Sequence, residues 1–453
     1  MNLTYGQLIK GNRNFRNLLW GQTISELGNW FNFIAGLGLV RLVSDASPLA
    51  AGILLVCRLL PFAIFSPIAG TFVDRFSRRQ VMIYSDLIRV AVALMFLFVT
   101  SAENLWIAYA ATILLSTFGA FFDGAKNAAA PNMTGKEGLL AGTALLFSTR
   151  FLLMAIGSAL GGLAAAVFGY KIAFIINAAS FLVSAFSVWL IPEEATRERS
   201  EPSAIADGIT SASELIKLNP PATAGGSDKS DNPERDSFIT ELKEGFRYTL
   251  QNHFALTILI MNVIWATGGG AINIVFERLG GVYFAGKESW NPDLAVAVLW
   301  TVSGFGLTLG MLVAHRVSAW LERTNLQNPF IGWTLIVHGL LFAAAGFMPS
   351  LWMVAFFTFV SRAIVGVEYA VQETMFQRSL PDYIRGRIST LDRGAEMTVF
   401  GFSIYISSLL VYQISPQMLM VISGSLSASS GLVWFARSRK ANIENYNSLT
   451  SEA

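Results

Sequence analysis

Ionisable side chains occur inside long apolar segments of this chain, where a charge is unfavourable unless it is paired, neutralised or exposed to water. Glu26 lies about eleven residues into the first segment, which at ~1.5 Å per residue places it near mid-depth of a membrane. It shares a predicted helix face with Asn29, and Arg58 lies at a similar depth in the next, antiparallel segment. Glu26 could therefore face a cavity and bind a proton or a cationic substrate, with Arg58 tuning it. Alternatively, Glu26 and Arg58 could form a structural ion pair between two helices.

Later segments carry a second set of charges. Arg362 lies near mid-depth, and we predict that it binds an anionic substrate group because a desolvated guanidinium makes strong paired hydrogen bonds. Glu368 lies further towards the cytoplasm on roughly the same helix face. Asp123 and Glu373 lie in the cytoplasmic thirds of their segments, where a role in an inner gate is favoured over contact with substrate. The predicted substrate or coupling residues are Glu26, Asn29, Arg58, Arg150, Arg362 and Glu368.

The composition places these residues in a membrane protein. The chain has 453 residues, of which 53% are hydrophobic and only 14% are charged, too few to cover a soluble surface. A single cysteine, Cys57, permits no internal disulfide, and the three histidines have no metal-ligand spacing. We therefore expect no metal and no cofactor. No nucleophile, base and orienting group are spaced together, which argues against an enzyme, and a net charge of +2 gives no support to nucleic acid as a partner.

Segment lengths predict twelve membrane spans, each of about 20 residues or more. They lie near residues 15–43, 48–72, 80–101, 104–124, 139–168, 169–191, 253–276, 293–314, 329–348, 350–373, 388–412 and 415–436. Lysine and arginine are concentrated in alternate short loops, whereas the opposite face carries only Arg41, Lys171, Arg278 and Lys287. This asymmetry predicts that both termini are cytoplasmic and that the protein is a multi-pass protein of the cell (inner) membrane.

The spans divide into two groups of six. Residues 1–191 are the predicted N-terminal bundle and residues 253–440 the C-terminal bundle, followed by a cytoplasmic tail at 441–453. Between the bundles, residues 192–237 are rich in Ser, Pro, Gly and acidic residues, which predicts a flexible cytoplasmic linker. Residues 238–252 have an apolar stripe at helical spacing, which predicts an amphipathic helix in the membrane interface.

An internal repeat supports the division into two halves. Residues 123–131 and 373–381 each contain an acid, an amide four residues later and a proline after four more. A second match relates residues 310–316 to the loop between spans two and three, with Ala314 in place of an aspartate. Two matches at corresponding places indicate duplicated halves.

That loop between spans two and three carries the most specific signal. Residues 70–79 read G-T-F-V-D-R-F-S-R-R, which resembles motif A of the major facilitator superfamily, with Ser77 where the family usually has a second glycine. A carboxylate at Asp74 is expected to approach the N-terminus of span eleven near Arg387 in an outward-open state, because helix N-termini attract negative charge. The predicted gate residues are Gly70, Asp74, Arg75, Arg78, Arg79, Asp123, Glu373 and Arg387.

Nearly the whole chain resembles this superfamily, and its N-x-x-x-P and Q-x-x-x-P segments at Asn127 and Gln377 look most like the macrolide-efflux and enterobactin-exporter-like branch. The resemblance implies an all-α membrane protein with twelve transmembrane helices in two pseudo-symmetric six-helix bundles. It further implies alternating access and export of a small amphipathic compound driven by an ion gradient, commonly protons, by a monomer surrounded by lipids. Span five has Gly157 followed by serine where drug antiporters have proline, which weakens the case for proton-coupled drug antiport. A lipid or lysolipid flippase and a non-transporting receptor or scaffold remain alternatives.

Overall fold

The computed structural model describes residues 4–73, 75–196 and 238–438, and this part of the chain is helical without a strand. Asp74, most of the predicted linker and the C-terminal tail lie outside the described residues. The helices are α1 (Tyr5–Gly11), α2 (Arg13–Val43), α3 (Pro48–Val73), α4 (Arg78–Met95), α5 (Leu105–Phe168), α6 (Tyr170–Trp189), α7 (Phe238–Gln251), α8 (His253–Arg278), α9 (Pro292–Thr324), α10 (Gln327–Ala345), α11 (Leu351–Ser379), α12 (Asp382–Leu410) and α13 (Pro416–Ser438).

The prediction of twelve spans is confirmed. Among the described residues, ten helical stretches are long and apolar enough to cross a membrane, and two of them lie largely within α5. The other two spans are α2 and α12, whose 31 and 29 residues exceed the length required but include more polar side chains.

The turn between spans four and five differs from the prediction. Residues 125–138 were expected to connect the two spans, but they continue the helix, and the chain changes direction at Gly135. Gly135 has φ 65° and ψ 176°, a conformation that is open essentially to glycine alone. One glycine therefore replaces a longer loop.

Short polar side chains fix where several spans begin. The Asn12 side chain accepts a hydrogen bond from the backbone N–H of Phe15 at 2.9 Å at the start of α2. Asn252 does the same for Ala255 at 2.9 Å at the start of α8. Such caps satisfy backbone donors that have no partner in the first turn of a helix.

The two bundles repeat one set of helix pairs. In the N-terminal bundle α2 packs against α6, and α4 also packs against α6. The C-terminal bundle repeats this arrangement, because α8 and α10 both pack against α13. Contacts between the bundles run between α5 and α9 and between α3 and α12. The pseudo-symmetry predicted from the sequence repeat is therefore present in the packing.

A triple glycine in span seven, Gly268–Gly270, could serve as a hinge or as a packing site, and the structure supports packing. Helix α8 continues through it without a break. A Cβ on Gly268 would lie 2.3 Å from the carbonyl oxygen of Ser423 in α13, so the glycine permits a close approach of two backbones. The departure from α-helical geometry comes later, in a π-helical turn at Leu279–Phe284.

The amphipathic segment after the linker forms α7. Its Glu244 carboxylate forms an ion pair with Arg387 at the start of α12, and Gly245 packs against the Arg387 backbone. Phe246 and Leu250, one turn apart, are exposed. An exposed apolar pair is consistent with contact to lipid, and the interfacial position of α7 stays a prediction.

Candidate functional site

Four side chains from both bundles meet at the predicted outer face. The Arg41 guanidinium at the end of α2 donates to both carboxylate oxygens of Glu277 in α8, at 3.0 and 2.9 Å. It also forms an ion pair with Asp293 in α9. Tyr170, at the start of α6, donates its hydroxyl to Asp293 at 3.0 Å. We call Arg41, Tyr170, Glu277 and Asp293 the outer ion cluster.

The outer ion cluster is almost fully buried. The Arg41, Glu277 and Asp293 side chains are 9%, 1% and 8% exposed, respectively. The attraction between charges is stronger there than on a solvated surface, but the cost of desolvation offsets much of it, and removal of one partner leaves an uncompensated buried charge. The outer ion cluster therefore joins the two bundles through one specific set of side chains.

Further bonds close the same face. Arg278 donates to the carbonyl oxygen of Ala46, and the hydroxyls of Ser47 and Tyr412 lie 3.1 Å apart. Each of these bonds joins the two bundles. The predicted outer face is therefore closed by polar contacts between the halves.

An aromatic layer lies on the inner side of this closure. The Trp300 ring in α9 contacts Trp30 and Phe33 of α2, with ring centroids 5.7 and 5.2 Å apart. Phe276 of α8 contacts Trp300 at a centroid distance of 5.2 Å. Because these rings come from both bundles, they add an apolar seal below the outer ion cluster.

The predicted Glu26–Arg58 contact is not made. Arg58 lies against aromatic rings, with its guanidinium carbon 4.5 Å from the Phe33 centroid and 5.8 Å from that of Trp30. Among the described residues Glu26 and Arg58 form no ion pair with each other, although Glu26 lies within electrostatic range of Arg58.

Because the two side chains share no bond, we expect the coupling between Glu26→Gln and Arg58→Gln in thermal unfolding to be smaller than that of a directly bonded pair. A double-mutant cycle on the full-length protein measures the coupling. The matched control is a cycle on Arg41 and Glu277, which are bonded and should couple by about 1 kcal/mol or more. An equally large coupling between Glu26 and Arg58 would contradict the geometry.

Asn29 takes part in a buried network within the N-terminal bundle. Its side-chain oxygen accepts a hydrogen bond from Arg89 at 3.3 Å, and Arg89 pairs with the fully buried Asp86 at 2.9 Å. The Arg89 guanidinium also lies 3.9 Å from the centroid of Phe181. Asn29 is thus engaged in holding α2 against α4, and its role as a substrate contact stays a prediction.

The two other predicted arginines differ in exposure. Arg150, on the second half of α5, is exposed. Arg362, on α11, is only 9% exposed and lies over Phe342, 5.6 Å from the ring centroid. Within the described part of the chain the Nε atom of Arg362 has no hydrogen-bond partner. Binding of an anionic group by Arg362 stays a prediction.

Glu368 lines a polar pocket in the C-terminal bundle. The pocket lies between α8, α10, α11 and α12, and Glu368 is 4% exposed there. Its Oε1 atom finds no hydrogen-bond partner among the described residues. Of the sequence-predicted substrate or coupling residues, Glu368 is the one that this pocket brings together with other ionisable side chains.

The motif residues in the loop after α3 contact α6 and the turn that follows it. Arg79 donates to the carbonyl oxygen of Trp189, the last residue of α6, at 2.6 Å. Arg78 donates to the Thr196 carbonyl at 3.2 Å. Arginine is favourable at a helix C-terminus because carbonyl groups there lack partners.

The other predicted gate residues of the motif are Gly70, Asp74 and Arg75. Arg75 is exposed, and Gly70 belongs to the end of α3. The predicted contact of Asp74 lies outside the described residues.

The remaining predicted gate residues make local contacts. Asp123 pairs with Lys126 at 2.5 Å, and Glu373 accepts from the Gln377 amide at 2.8 Å. Gln377 also donates to Ser389 of α12 at 3.1 Å. The two acids of the sequence repeat therefore bond one helical turn ahead in both halves, and their gating role stays a prediction.

The family of this chain follows from its similarity to known proteins. The model of the Major Facilitator Superfamily matches residues 19–337, most of the chain. This chain belongs to the major facilitator superfamily. The family and the relatives described next are transporters rather than enzymes, so this superfamily member is a membrane transporter.

Three relatives cover most of this superfamily member. A transporter of the same type from Bacillus subtilis is 23% identical, over 97% of this chain and 96% of its own. Macrolide efflux protein A of Streptococcus pyogenes is 22% identical, over 81% of this chain and 82% of its own. A putative bacilysin exporter of Bacillus subtilis is 24% identical over 90% of each chain.

Solved structures share the fold of this transporter. The nucleoside transporter NupG is 13% identical, with a TM-score of 0.64 over 93% of this chain and 99% of its own. At this identity the likeness shows the fold alone.

The outer ion cluster of this transporter was missed in the sequence. Arg41 was interpreted as an ordinary outer-face charge, and Glu277, Asp293 and Tyr170 were not singled out. The sequence does contain a signal for this cluster, namely two acidic residues at the outer ends of spans seven and eight. The assignment of loops to membrane faces counts only lysine and arginine, so it does not consider these acids.

Proposed function

We propose that this transporter exports a small amphipathic compound by alternating access, driven by an ion gradient. The observation that supports this proposal most directly is the closed outer face, where Arg41 of one bundle pairs with Glu277 and Asp293 of the other. Alternating access requires that such contacts between halves form and break in each cycle. A fold stabilised only as a static scaffold has no need for buried charges at that junction.

The relatives support export as the direction. Two of them are named as a macrolide efflux protein and a putative bacilysin exporter. We propose a compound of the same broad kind, with polar and apolar parts. The orientation that goes with export has both termini in the cytoplasm of a cell membrane, as the charge asymmetry predicts.

The proposed machinery uses the charges inside the bundles. Glu26 is partly exposed and Glu368 is buried, and a carboxylate without an ion-pair partner is suited to gain and lose a coupling proton. Arg58, Arg150 and Arg362 are the cations that a substrate or a charged carboxylate could meet. The contacts of the predicted gate residues at the cytoplasmic ends of the spans would form the inner gate, namely those of Arg78, Arg79, Asp123, Glu373 and Arg387.

Purified full-length protein in proteoliposomes tests this function. We expect an imposed pH gradient to drive accumulation of at least one compound from a panel that contains macrolides, dipeptide antibiotics and lysolipids. The control is the same vesicle with the gradient collapsed by an ionophore. Compound movement that is equal with and without every imposed ion gradient would contradict secondary transport, and movement of lysolipids alone would indicate a flippase.

A further inference from the structure

The carboxylate of Glu368 has an incomplete environment. Glu368 is 4% exposed and lines the pocket between α8, α10, α11 and α12. Its Oε1 atom has no hydrogen-bond partner in the described part of the chain. Because a desolvated carboxylate without a partner is strongly unfavourable, Glu368 must either be protonated or meet a positively charged partner.

A second carboxylate in the same pocket is held in place by amides. Asn262 donates to Oδ2 of Asp392 at 2.9 Å, and the Asn262 oxygen accepts from Gln372 at 2.9 Å. The other oxygen of Asp392, Oδ1, is buried without a partner among the described residues. The amide chain therefore fixes Asp392 and leaves one acceptor free towards the pocket.

Carboxyl groups outnumber cations in the pocket lining. Glu373 and Glu396 line it together with Glu368 and Asp392, and Arg393 is the one positively charged residue of the lining. Arg393 is half exposed and is already bonded to Tyr369 at 2.5 Å and to Glu396 at 3.4 Å. Its charge is therefore directed away from Glu368, and an anion would be repelled from this pocket.

The lining favours an organic cation over a metal ion. In the part of the chain that the structure describes, no three acidic, histidine or cysteine side chains are grouped so as to hold a metal ion. The pocket also includes Trp265, Leu335 and Val365, which supply an aromatic and an aliphatic wall. Carboxylates beside an apolar wall match an ammonium group attached to an apolar body.

We propose that this pocket, whose volume of about 20 Å³ is sufficient for an ammonium group, binds the protonated amine of an amphipathic organic cation. Glu368 and Asp392 accept its N–H groups, and Trp265 contacts the part of the apolar body next to the amine. The proposal rests on the export function proposed above and assigns the charge class of its substrate. Arg362, which the sequence suggested for an anionic group, does not line this pocket.

Three naphthalene probes with one apolar body test the charge preference. The probes are 1-naphthylmethylamine, which is cationic, 1-naphthalenemethanol, which is neutral, and 1-naphthylacetate, which is anionic. Isothermal titration calorimetry on the full-length protein in nanodiscs, with empty nanodiscs subtracted, gives each affinity. We expect the amine to bind at least tenfold more tightly than the alcohol, because hydrogen bonds to a charged acceptor are stronger than neutral ones. Equal affinity of the amine and the alcohol, or preference for the acetate, would overturn the proposal.

A nearly isosteric variant tests the residue assignment. Glu368→Gln should weaken binding of the amine at least tenfold and leave binding of the alcohol unchanged. The control is Glu322→Gln, which removes an exposed carboxylate that pairs with Arg378 away from the pocket, and it should bind the amine like the wild type. If Glu368→Gln is not recovered as a folded protein, Asp392→Asn carries the same expectation. Wild-type amine affinity in the folded variant rejects the assignment.

Binding and transport can fail separately. If the amine binds with this dependence on Glu368 but no gradient drives export of any compound, the cation pocket stands and the proposed export function is wrong. If gradient-driven export is found and amine binding does not depend on Glu368, the export function stands and the cation pocket is wrong.

Discussion

Replacing Arg41 with glutamine is expected to open the outer face and to shift the population away from the closed arrangement by more than a hundredfold. Arg41 is bonded to both Glu277 and Asp293. Without it, two buried carboxylates lose their cation, which typically costs about 3–5 kcal/mol. Since about 1.4 kcal/mol corresponds to a factor of ten, the closed state should no longer dominate. Separation of the bundles lets water reach both carboxylates and relieves the penalty.

Distances between spin labels across the outer face measure this shift. The labels are attached to cysteines at Glu103 and Gln413, which are exposed positions at the outer ends of the two halves, in a Cys57→Ser background. We expect longer distances in Arg41→Gln than in the otherwise unmutated protein. Lys171→Gln is the matched control, because it removes an exposed cation at the same face that is not part of the outer ion cluster. The same distances in all three proteins would show that the cluster does not hold the face closed.

Arg41→Lys separates charge from geometry in the same assay. A lysine keeps the positive charge but cannot present two separate nitrogens, as Arg41 does with Nη1 to Glu277 and Nη2 to Asp293. We expect an intermediate opening, larger than in Lys171→Gln and smaller than in Arg41→Gln. An opening equal to that of Arg41→Gln would mean that the paired hydrogen bonds matter more than the charge.

Depth in the membrane could be predicted from the sequence, whereas direction around a helix axis could not. Counting residues placed Glu26 and Arg58 at matching depths, but each residue turns a helix by about 100°, so an uncertainty of two residues at a helix end changes which neighbour a side chain meets. In the structure Arg58 meets Phe33 instead. The number of spans depends on length and hydropathy alone and was predicted correctly, including α2 and α12 with their polar residues.

Contacts between the bundles could not be predicted from local sequence patterns. Arg41 is separated from Glu277 by 236 positions and from Asp293 by 252. No spacing rule connects residues so far apart, and the ends of apolar segments are where charges are common. The duplicated halves were predictable because both copies of a local pattern are visible in the chain. The partners of the repeat acids differ, however, because Asp123 pairs with Lys126 whereas Glu373 bonds the repeat amide Gln377.

Two glycines allow the bundles to meet along α5 and α9. A Cβ on Gly304 of α9 would lie 2.5 Å from the backbone nitrogen of Ala155 in α5. A Cβ on Gly162 of α5 would lie 2.2 Å from the Cβ of Ala297 in α9. The Gly304 contact is with backbone, so no change of rotamer can relieve it, and a side chain at Gly304 must push the two halves apart.

Gly304→Val is therefore expected to reduce transport by at least a hundredfold, because the closed arrangement of the outer face becomes inaccessible. Transport rates in proteoliposomes and thermal unfolding of the same preparations are the measurements. Gly119→Val is the matched control: Gly119 is also a helical glycine, on α5, but nothing lies within 4 Å of its added Cβ. The two variants make the same change in a helix, so a loss specific to Gly304→Val isolates the contact between bundles. Transport by folded Gly304→Val at the rate of Gly119→Val would show that the cycle does not require α5 and α9 to approach as closely as they do here.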